Sequence, residues 1–201
     1  MCKIERAILS CHDKTGLVEL AGLLTELGVE IIGTSGTLSV LHAAGIAAQS
    51  IADFTGTPEL LNGRVKSLHP KVHAGLLGVR GLKLHEEQIQ AYDMKWIDMV
   101  VVNLQPLSEL IARPGISADE VIDQVDIGGV AMLRSAAKNH RYVTAVVNPA
   151  RYPLVMHELR AHEGSVSYAP RFLLAQEAFC ATAAYDNALS EYLMRVAPPK
   201  D

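Results

Sequence analysis

The chain has 201 residues, 49% of them hydrophobic and 20% charged, with a net charge of −4 at pH 7. That composition is typical of a globular protein with a sizeable core, and it argues against a nucleic-acid or acidic-membrane partner. No apolar run approaches the ~20 residues of a membrane-spanning helix, and the N-terminus lacks the apolar core of a signal peptide. The three cysteines, Cys2, Cys11 and Cys180, have no metal-ligand spacing, which indicates reduced thiols and a cytoplasmic protein.

The N-terminal part of the chain alternates between strand and helix patterns. Residues 7–11 and 29–33 are short apolar runs typical of buried strands, and leucines recur between them at helical spacing over 17–27. Gly28 is placed to end that helix, and a second short helix is expected over 34–45. Such short connections favour right-handed crossovers and a parallel sheet.

The middle of the chain contains one strand pattern and several helix starts. The run at 99–104 is continuous and β-branched, as in a strand covered on both faces. Helices are expected from the run Thr57-Pro58-Glu59, where proline suits a first turn, over the polar residues 82–94, over 117–125 after a capping box, and over 129–137.

The last strand pattern covers 143–147, and residues 150–195 contain only helix patterns. We therefore predict an α/β fold, a three-layer αβα parallel sheet with additional C-terminal helices. We expect a single domain over residues 1–195, with its sheet core at about 5–148, followed by a tail at 196–201.

Polar residues follow the predicted strands where ligands bind in parallel α/β sheets, outside the carboxyl ends. Ser10 and His12 follow the first strand, Thr34 opens the helix after the second, Asn103 ends the central strand, and Asp126 precedes a further helix. Free N–H groups at a helix start can hold a phosphate, although a Thr-Ser-Gly-Thr turn also serves as a simple helix cap. The convergence of these segments on one edge predicts a ligand site.

A basic stretch from Asn62 to Pro70 adds two cations to this edge. Six consecutive residues, 64–69, contain the cations Arg64 and Lys66, the hydroxyl of Ser67 and the imidazole of His69. The stretch contains no acidic residue. Arginine presents a planar fork to an anion, and lysine presents a compact charge. By itself the stretch is either an anion site or a solvated basic turn.

Six segments carry a resemblance to a known family, and they run through nearly the whole chain in order. They are Ser10-x-x-Asp13-Lys14-Thr15-Gly16-Leu17, Thr34-Ser35-Gly36-Thr37, Gly63-Arg64-Val65-Lys66-Ser67-Leu68-His69-Pro70-Lys71-Val72-His73, Val102-Asn103-Leu104, Asp126-Ile127-Gly128-Gly129-Val130 and Ala136-Ala137-Lys138-Asn139-His140. Together they resemble IMP cyclohydrolase, the N-terminal part of a bifunctional purine-biosynthesis enzyme with a methylglyoxal-synthase-like (Rossmann-like) fold. The family's second domain, a folate-dependent formyltransferase, would begin where this chain stops, so we expect a stand-alone cyclohydrolase without a folate site.

The resemblance implies dehydrative ring closure of 5-formamidoimidazole-4-carboxamide ribonucleotide (FAICAR) to IMP in de novo purine biosynthesis. The carboxamide nitrogen loses a proton as it attacks, the formyl oxygen gains charge, and water leaves. No metal or organic cofactor is implied. The implied partners are a purine ribonucleotide, a second copy of the chain in a homodimer, and a separate AICAR formyl-transferring enzyme.

The resemblance also implies roles for individual residues. Lys138 matches a proton-transfer lysine, Asp126 an adjacent acidic group, and Lys66 a lysine beside the formyl oxygen. Lys138 equally suits the negative end of a helix dipole. The residues implied in substrate binding are Ser10, His12, Asp13, Lys14, Thr34, Ser35, Gly36, Thr37, Arg64, Val65, Ser67, Asn103, Leu104, Gln105, Ile127 and Gly128.

The helix expected before Lys138 creates a geometric problem. If it ran straight from Gly129, it would separate its ends by about 14 Å. Asp126 and Lys138 would then contact one nucleotide only at opposite ends, across a dimer interface, or after a break in the helix. The sequence leaves these three arrangements open.

Four positions depart from the family pattern, and the mildest is Ser67, where the family has threonine. Gln105 and Leu107 stand where the family has tyrosine and phenylalanine, and glutamine cannot act as a general acid or base. Either the family tyrosine is a positioning group or this enzyme is slower. His12 replaces a serine and adds a cation to the phosphate site when it is protonated.

Two other functions remain open within the same fold. Methylglyoxal synthase would need a carboxylate base and an imidazole around a triose phosphate, and a nucleotide-sensing module would bind without catalysis. His69 and His73, four residues apart, are spaced as a metal pair on a helix, but Pro70 intervenes and no carboxylate is near, so we expect no metal site.

Overall fold

The computed structural model describes residues 3–196, and the centre of this region is a five-stranded parallel sheet in the order β3-β2-β1-β4-β5. The strands are β1 Arg6–Cys11, β2 Glu30–Gly33, β3 Gln49–Ser50, β4 Met99–Asn103 and β5 Thr144–Val146. The four strands expected from the sequence are confirmed, and β3 is an addition. Of the predicted tail, only Val196 lies within the described residues.

Helices surround the sheet, and within residues 3–196 there are ten α-helices and two short 3-10 helices, Leu61–Gly63 and Pro149–Arg151. The α-helices are α1 Leu17–Glu26, α2 Ser35–Ala43, α3 Ile51–Thr55, α4 Pro70–Leu77, α5 Lys83–Ala91, α6 Leu107–Ile111, α7 Ala118–Asp123, α8 Gly128–Lys138, α9 Tyr152–Ala161 and α10 Tyr168–Arg195. The additional C-terminal helices are therefore confirmed as α9 and α10.

Alternation along the strands divides the core between the two faces of the sheet. In β1, Leu9 packs into one cluster with α1 and α9, whereas its neighbour Ile8 packs into a second cluster with α4, α8 and α10. All five residues of β4 are buried, as expected for a central strand covered on both sides. The three-layer αβα arrangement is thus confirmed.

Local signals set several of the helix ends. Gly28 has a φ of 76°, and this left-handed conformation lets the chain turn sharply after α1. At the start of α7, the Ser117 hydroxyl accepts from the Glu120 backbone N–H, and the Glu120 carboxylate accepts from the Ser117 N–H. That reciprocal pair is the capping box that the sequence predicts.

The helix predicted from Thr57 is wrong. Residues 57–60 have no regular structure, and Leu61 and Asn62 have φ values of 52° and 54°, which an α-helix cannot include. The helix begins instead at Pro70, with the His69 ring Nδ1 accepting from the Lys71 N–H as its cap. Pro70 was expected to interrupt a helix, but proline at the first helical position removes only an N–H that has no helical partner.

The order of the strands sets where a ligand can bind. From β1 the chain moves outward to β2 and β3 on one side of the sheet, and then returns to β4 and β5 on the other. The crevice outside the carboxyl ends of β1 and β4 is therefore the topological switch point, where open α/β sheets bind their ligands. Within residues 3–196, no helix is both long enough and apolar enough to cross a membrane.

Candidate active site

An open cleft of about 620 Å3 lies at this switch point. Its walls come from the carboxyl ends of β1 and β4, the basic stretch before α4, the start of α8 and one side of α10. Of the residues predicted from the sequence, the cleft is lined by Ser10, His12, Thr34, Arg64, Lys66, Ser67, Asn103, Gln105, Asp126, Ile127 and Gly128.

Asn103, at the end of β4, holds the loop that follows β1. Its Oδ1 accepts from the Asp13 N–H at 2.7 Å, and its Nδ2 donates to the Asp13 carbonyl at 2.9 Å. The Asp13 carboxylate accepts from the Thr15 N–H, which lowers the pKa of Asp13. Lys14 turns back to donate to the carbonyls of Cys11 and His12. Asp13 and Lys14 therefore build the loop, while His12 lines the cleft.

His12 contacts helix α6, which follows β4 and does not line the cleft. Its Nε2 lies 3.0 Å from the Glu109 carboxylate of α6, and both side chains are exposed. A serine at this position is too short for that contact. His12 thus links the first loop to α6 while remaining at the mouth of the cleft.

The loop after β2 presents hydroxyl groups to the cleft. The Thr34 hydroxyl donates to Ser10 Oγ at 3.1 Å and makes no side-chain cap to α2. Thr37 is buried, and its Oγ1 accepts from the Cys11 N–H at 3.0 Å, which fixes the end of β1. Ser35 donates to Glu59 at 3.2 Å. Ser10 and Thr34 line the cleft, whereas Ser35, Gly36 and Thr37 lie outside its lining.

The basic stretch forms the second wall. Arg64 makes an exposed ion pair with Asp123, at the end of α7. Ser67 is 4% exposed and packs so closely on α8 that a Cβ on Gly128 would lie 2.1 Å from its Oγ. Glycine at that position therefore permits the approach. Val65 and Leu104, both predicted in substrate binding, do not line the cleft.

Asp126 sits at the start of α8 in a tightly defined position. Its Oδ1 accepts from the Gly129 N–H at 2.7 Å, and its own backbone N–H donates to the Tyr185 hydroxyl at 2.9 Å. A Cβ on Gly129 would lie 2.3 Å from Asp126 Oδ2, so a larger residue there would displace the carboxylate. The carboxylate therefore lies at the positive end of the α8 dipole.

Lys138 is not part of the cleft in this chain. It is the last residue of α8, and the helix is continuous from Gly128, so a break in the helix is ruled out. Its length of about 15 Å separates Lys138 from Asp126. The neighbouring Asn139 donates to the carbonyls of Leu76 and Gly78 at the far end of α4.

Helix α10 contributes two residues to the cleft that were not predicted from the sequence. Tyr185 and Leu189 both line the cleft, although they lie far along the chain from the strand ends. Their spacing of four residues continues the buried face formed by Ala178 and Thr182. Tyr185 is the aromatic residue with a polar group on that face, and such a residue, when buried, usually has a hydrogen-bond partner. That signal could have identified it.

The two histidines near the basic stretch serve the structure of α4. His69 caps the helix through Nδ1 and places Nε2 3.3 Å from the Thr57 hydroxyl. His73 Nδ1 lies 3.0 Å from Ser135 Oγ on α8, and burial lowers the pKa of His73. Residues 3–196 contain no group of three or more His, Cys, Asp or Glu side chains that could hold a metal ion.

Two family models match the sequence. Residues 16–131 match the MGS-like domain family, which confirms the predicted fold, and residues 136–200 match the family described as AICARFT/IMPCHase bienzyme. The first match ends inside α8, and the second begins in the same helix. The boundary between the two family matches therefore lies within α8, the helix that follows Asp126.

Three curated relatives carry the name bifunctional purine biosynthesis protein PurH. The chain is 51% identical over 191 residues to that of Anoxybacillus flavithermus, 48% over 193 to that of Magnetococcus marinus and 50% over 190 to that of Chlorobium chlorochromatii. These matches cover 95%, 96% and 94% of this chain but 37%, 36% and 36% of the relatives. The chain thus spans little more than a third of their length.

A solved structure, the crystal structure of ForH, has the same overall arrangement. The TM-score is 0.83 at 34% sequence identity, and the match covers 94% of this chain and 98% of that chain. The likeness therefore extends over nearly the whole chain.

Proposed function

The chain belongs to the MGS-like domain family and carries the region described as AICARFT/IMPCHase bienzyme, and from this premise we propose that it catalyses the IMP cyclohydrolase reaction. In that reaction the carboxamide nitrogen of FAICAR attacks the formyl carbon and water is lost. The observation that carries the proposal is the cleft, where hydroxyls, the cations Arg64 and Lys66 and two carboxylates line one space at the topological switch point.

The phosphate of the ribonucleotide binds, in this proposal, beside the loops after β1 and β2. The Ser10 hydroxyl, which accepts from Thr34, donates to it, and Arg64 supplies a charged fork from the basic stretch before α4. The start of α2 adds the positive end of a helix dipole, since Thr34 does not cap it. The imidazole ring of the nucleotide then extends toward Lys66 and the start of α8.

Ring closure is promoted mainly by positioning and by charge. Because the two reacting groups belong to one molecule, holding them in contact supplies much of the acceleration. Lys66 stabilises the formyl oxygen as it gains negative charge, and the fixed carboxylate of Asp126 accepts a hydrogen bond from the attacking carboxamide. Ser67, packed on Gly128, donates a hydrogen bond from its hydroxyl to the substrate between Lys66 and Asp126.

The test is turnover of the formamido ribonucleotide, followed by the absorbance change on IMP formation. Lys66→Ala is expected to lower kcat by about 10²- to 10³-fold, as for loss of one oxyanion-stabilising donor. Lys83→Ala is the control, because Lys83 is 89% exposed on α5 and does not line the cleft. Absence of turnover in the wild type refutes the proposed function, and normal turnover in Lys66→Ala refutes the role of that lysine.

A homodimer is the second part of the proposal, and it would give Lys138 access to a cleft. Its support is an exposed aromatic face on α10, where Tyr168, Phe172 and Phe179 are 54%, 46% and 40% exposed. Arg134 of α8 lies 5.7 Å from the Phe179 ring centre on the same surface. A face of this kind is typical of subunit contacts.

Complementation between subunits tests this arrangement. Lys66→Ala and Lys138→Ala are expected to be inactive separately and to recover activity when the two variants are mixed and refolded, because mixed dimers then hold one complete site. If Lys138→Ala keeps wild-type turnover, the role of Lys138 is to interact with the negative end of the α8 dipole. If the mixture stays inactive although both variants are folded dimers, Lys138 does not act across an interface.

A nucleotide-sensing module is the alternative function, and Gln105 is the observation that favours it. Gln105 lines the cleft where the resemblance implies a tyrosine, and it cannot transfer a proton. Titration calorimetry with IMP separates the two functions, because binding without turnover of FAICAR supports the sensor. We further propose a cytoplasmic location and a functional link to a separate enzyme that formylates AICAR.

A further inference from the structure

A tyrosine from α10 reaches the part of the cleft that holds Asp126. The Tyr185 side chain is 9% exposed, and its hydroxyl oxygen accepts the Asp126 backbone N–H at 2.9 Å. The Asp126 carboxylate is fixed at the same time by the Gly129 N–H. Tyr185 therefore fixes the position of the loop before α8, and Tyr185 itself lines the cleft.

The hydroxyl proton of Tyr185 is available for a ligand. A phenol accepts through its oxygen and donates through its proton, and the oxygen already has the amide as a partner. Asp126, from the loop before α8, and Asp186, from α10 itself, act on it electrostatically, and Arg134 of α8 lines a neighbouring surface pocket together with it. Burial is the main cause that raises the pKa of Tyr185, so the hydroxyl keeps its proton at neutral pH.

We propose that Tyr185 positions Asp126 through its oxygen and donates a hydrogen bond from its hydroxyl to the reacting formyl oxygen of the bound nucleotide. The proposal rests on the cyclohydrolase function proposed above. It gives the cleft a phenol from α10, although Gln105 occupies the place where the family resemblance implies one. The hydrogen bond strengthens as the formyl oxygen gains charge, so its effect falls on kcat.

Tyr185→Phe removes the hydroxyl and keeps the buried ring. The expected result is a fall in kcat of ~10- to 100-fold, the range for a hydrogen bond to a charged group, with KM changed less than about threefold, because the donor acts mainly in the transition state. Tyr192→Phe is the matched control, since Tyr192 lies on the same helix and packs with Leu107 and Leu110 outside the cleft lining. A kcat for Tyr185→Phe within twofold of the wild type overturns the proposal.

A second measurement separates hydrogen-bond donation from a purely structural role. Fluorotyrosine at position 185 keeps the ring and the hydroxyl but lowers the pKa of the phenol. The alkaline limb of the kcat–pH profile is expected to move to lower pH, because the deprotonated phenol cannot donate. An unmoved limb overturns the proposal even if Tyr185→Phe fails to fold. Absence of turnover in the wild type refutes the cyclohydrolase function itself, and the present inference falls with it.

Discussion

Gly128→Ala is expected to impair substrate binding while leaving the fold nearly as stable as before. The new Cβ would lie 2.1 Å from Ser67 Oγ but 3.5 Å from Ser67 Cβ. The second distance is ordinary van der Waals contact, so only the hydroxyl has to move. A rotation of the Ser67 side chain relieves the overlap, and it turns the hydroxyl away from its position in the cleft.

The two energy changes in this variant oppose each other. Alanine in place of a helical glycine stabilises by up to ~1 kcal/mol, less at a helix start, and a strained serine rotamer costs ~0.5–1.5 kcal/mol. The melting temperature should therefore change by no more than about 6 °C for a chain of this size. Loss of one hydrogen bond to the substrate, ~0.5–1.5 kcal/mol, raises KM by about 2- to 12-fold.

The assay is steady-state turnover together with thermal unfolding, for the single variants and for the pair with Ser67→Ala. Once the hydroxyl is absent, Gly128→Ala has nothing left to displace, so the two changes should not add in KM. Gly22→Ala in α1 is the control, because no atom outside the adjacent backbone of α1 lies within 4 Å of its added Cβ and stability should rise. Additive effects on KM in the double variant would refute the reasoning.

Two further predictions concern charged groups. Asp123→Asn removes the partner of Arg64, and because the pair is exposed, stability should change by less than ~1 kcal/mol. The freed guanidinium should bind the nucleotide phosphate more tightly, by a factor that shrinks as salt is added, which calorimetric titration at two ionic strengths measures; equal affinity of variant and wild type at low salt would contradict this. The Ser167 hydroxyl and N–H donate to Glu158 and lower the pKa of its carboxyl below the ordinary value of 4.5. The folded-state pKa is the lower one, so this stabilisation is complete above pH ~4.5 and is lost as the pH falls through the folded-state value. Glu158→Gln should therefore flatten the acid limb of stability in urea unfolding between pH 2 and 7, and an unchanged slope would count against the linkage.

Local sequence signals were sufficient for most of the fold because each acts over a few residues. The β-branched run of β4 can be buried on both faces only as a central strand, and the Ser117 capping box closes its own helix start. The preference of proline for the first turn of a helix gave a wrong prediction, because two prolines fit it equally well. Pro58 and Pro70 both fit a first helical turn, and the left-handed conformations of Leu61 and Asn62 exclude a helix continuing from Pro58.

The candidate site was predictable to the extent that it follows the strands. Ser10, Thr34 and Asn103 could be placed together because parallel strands bring their carboxyl ends to one edge. The contact between Asp126 and Tyr185 joins residues 59 positions apart, and no local pattern specifies which face of α10 meets the start of α8. That choice depends on how the helices pack.

The sequence by itself determined four of the five strands found within residues 3–196, most of the helices, the residues at the edge of the sheet and the family to which they are similar. The family resemblance assigned Lys66, Asp126 and Lys138 to one site, because sequence similarity compares residue types along a chain and contains no information on distances in space. Only the tertiary structure decided that Lys66 and Asp126 share a cleft while Lys138 stands at the other end of a continuous helix. The physical reason is the rise of an α-helix, ~1.5 Å per residue, which keeps the two ends of α8 apart within one chain.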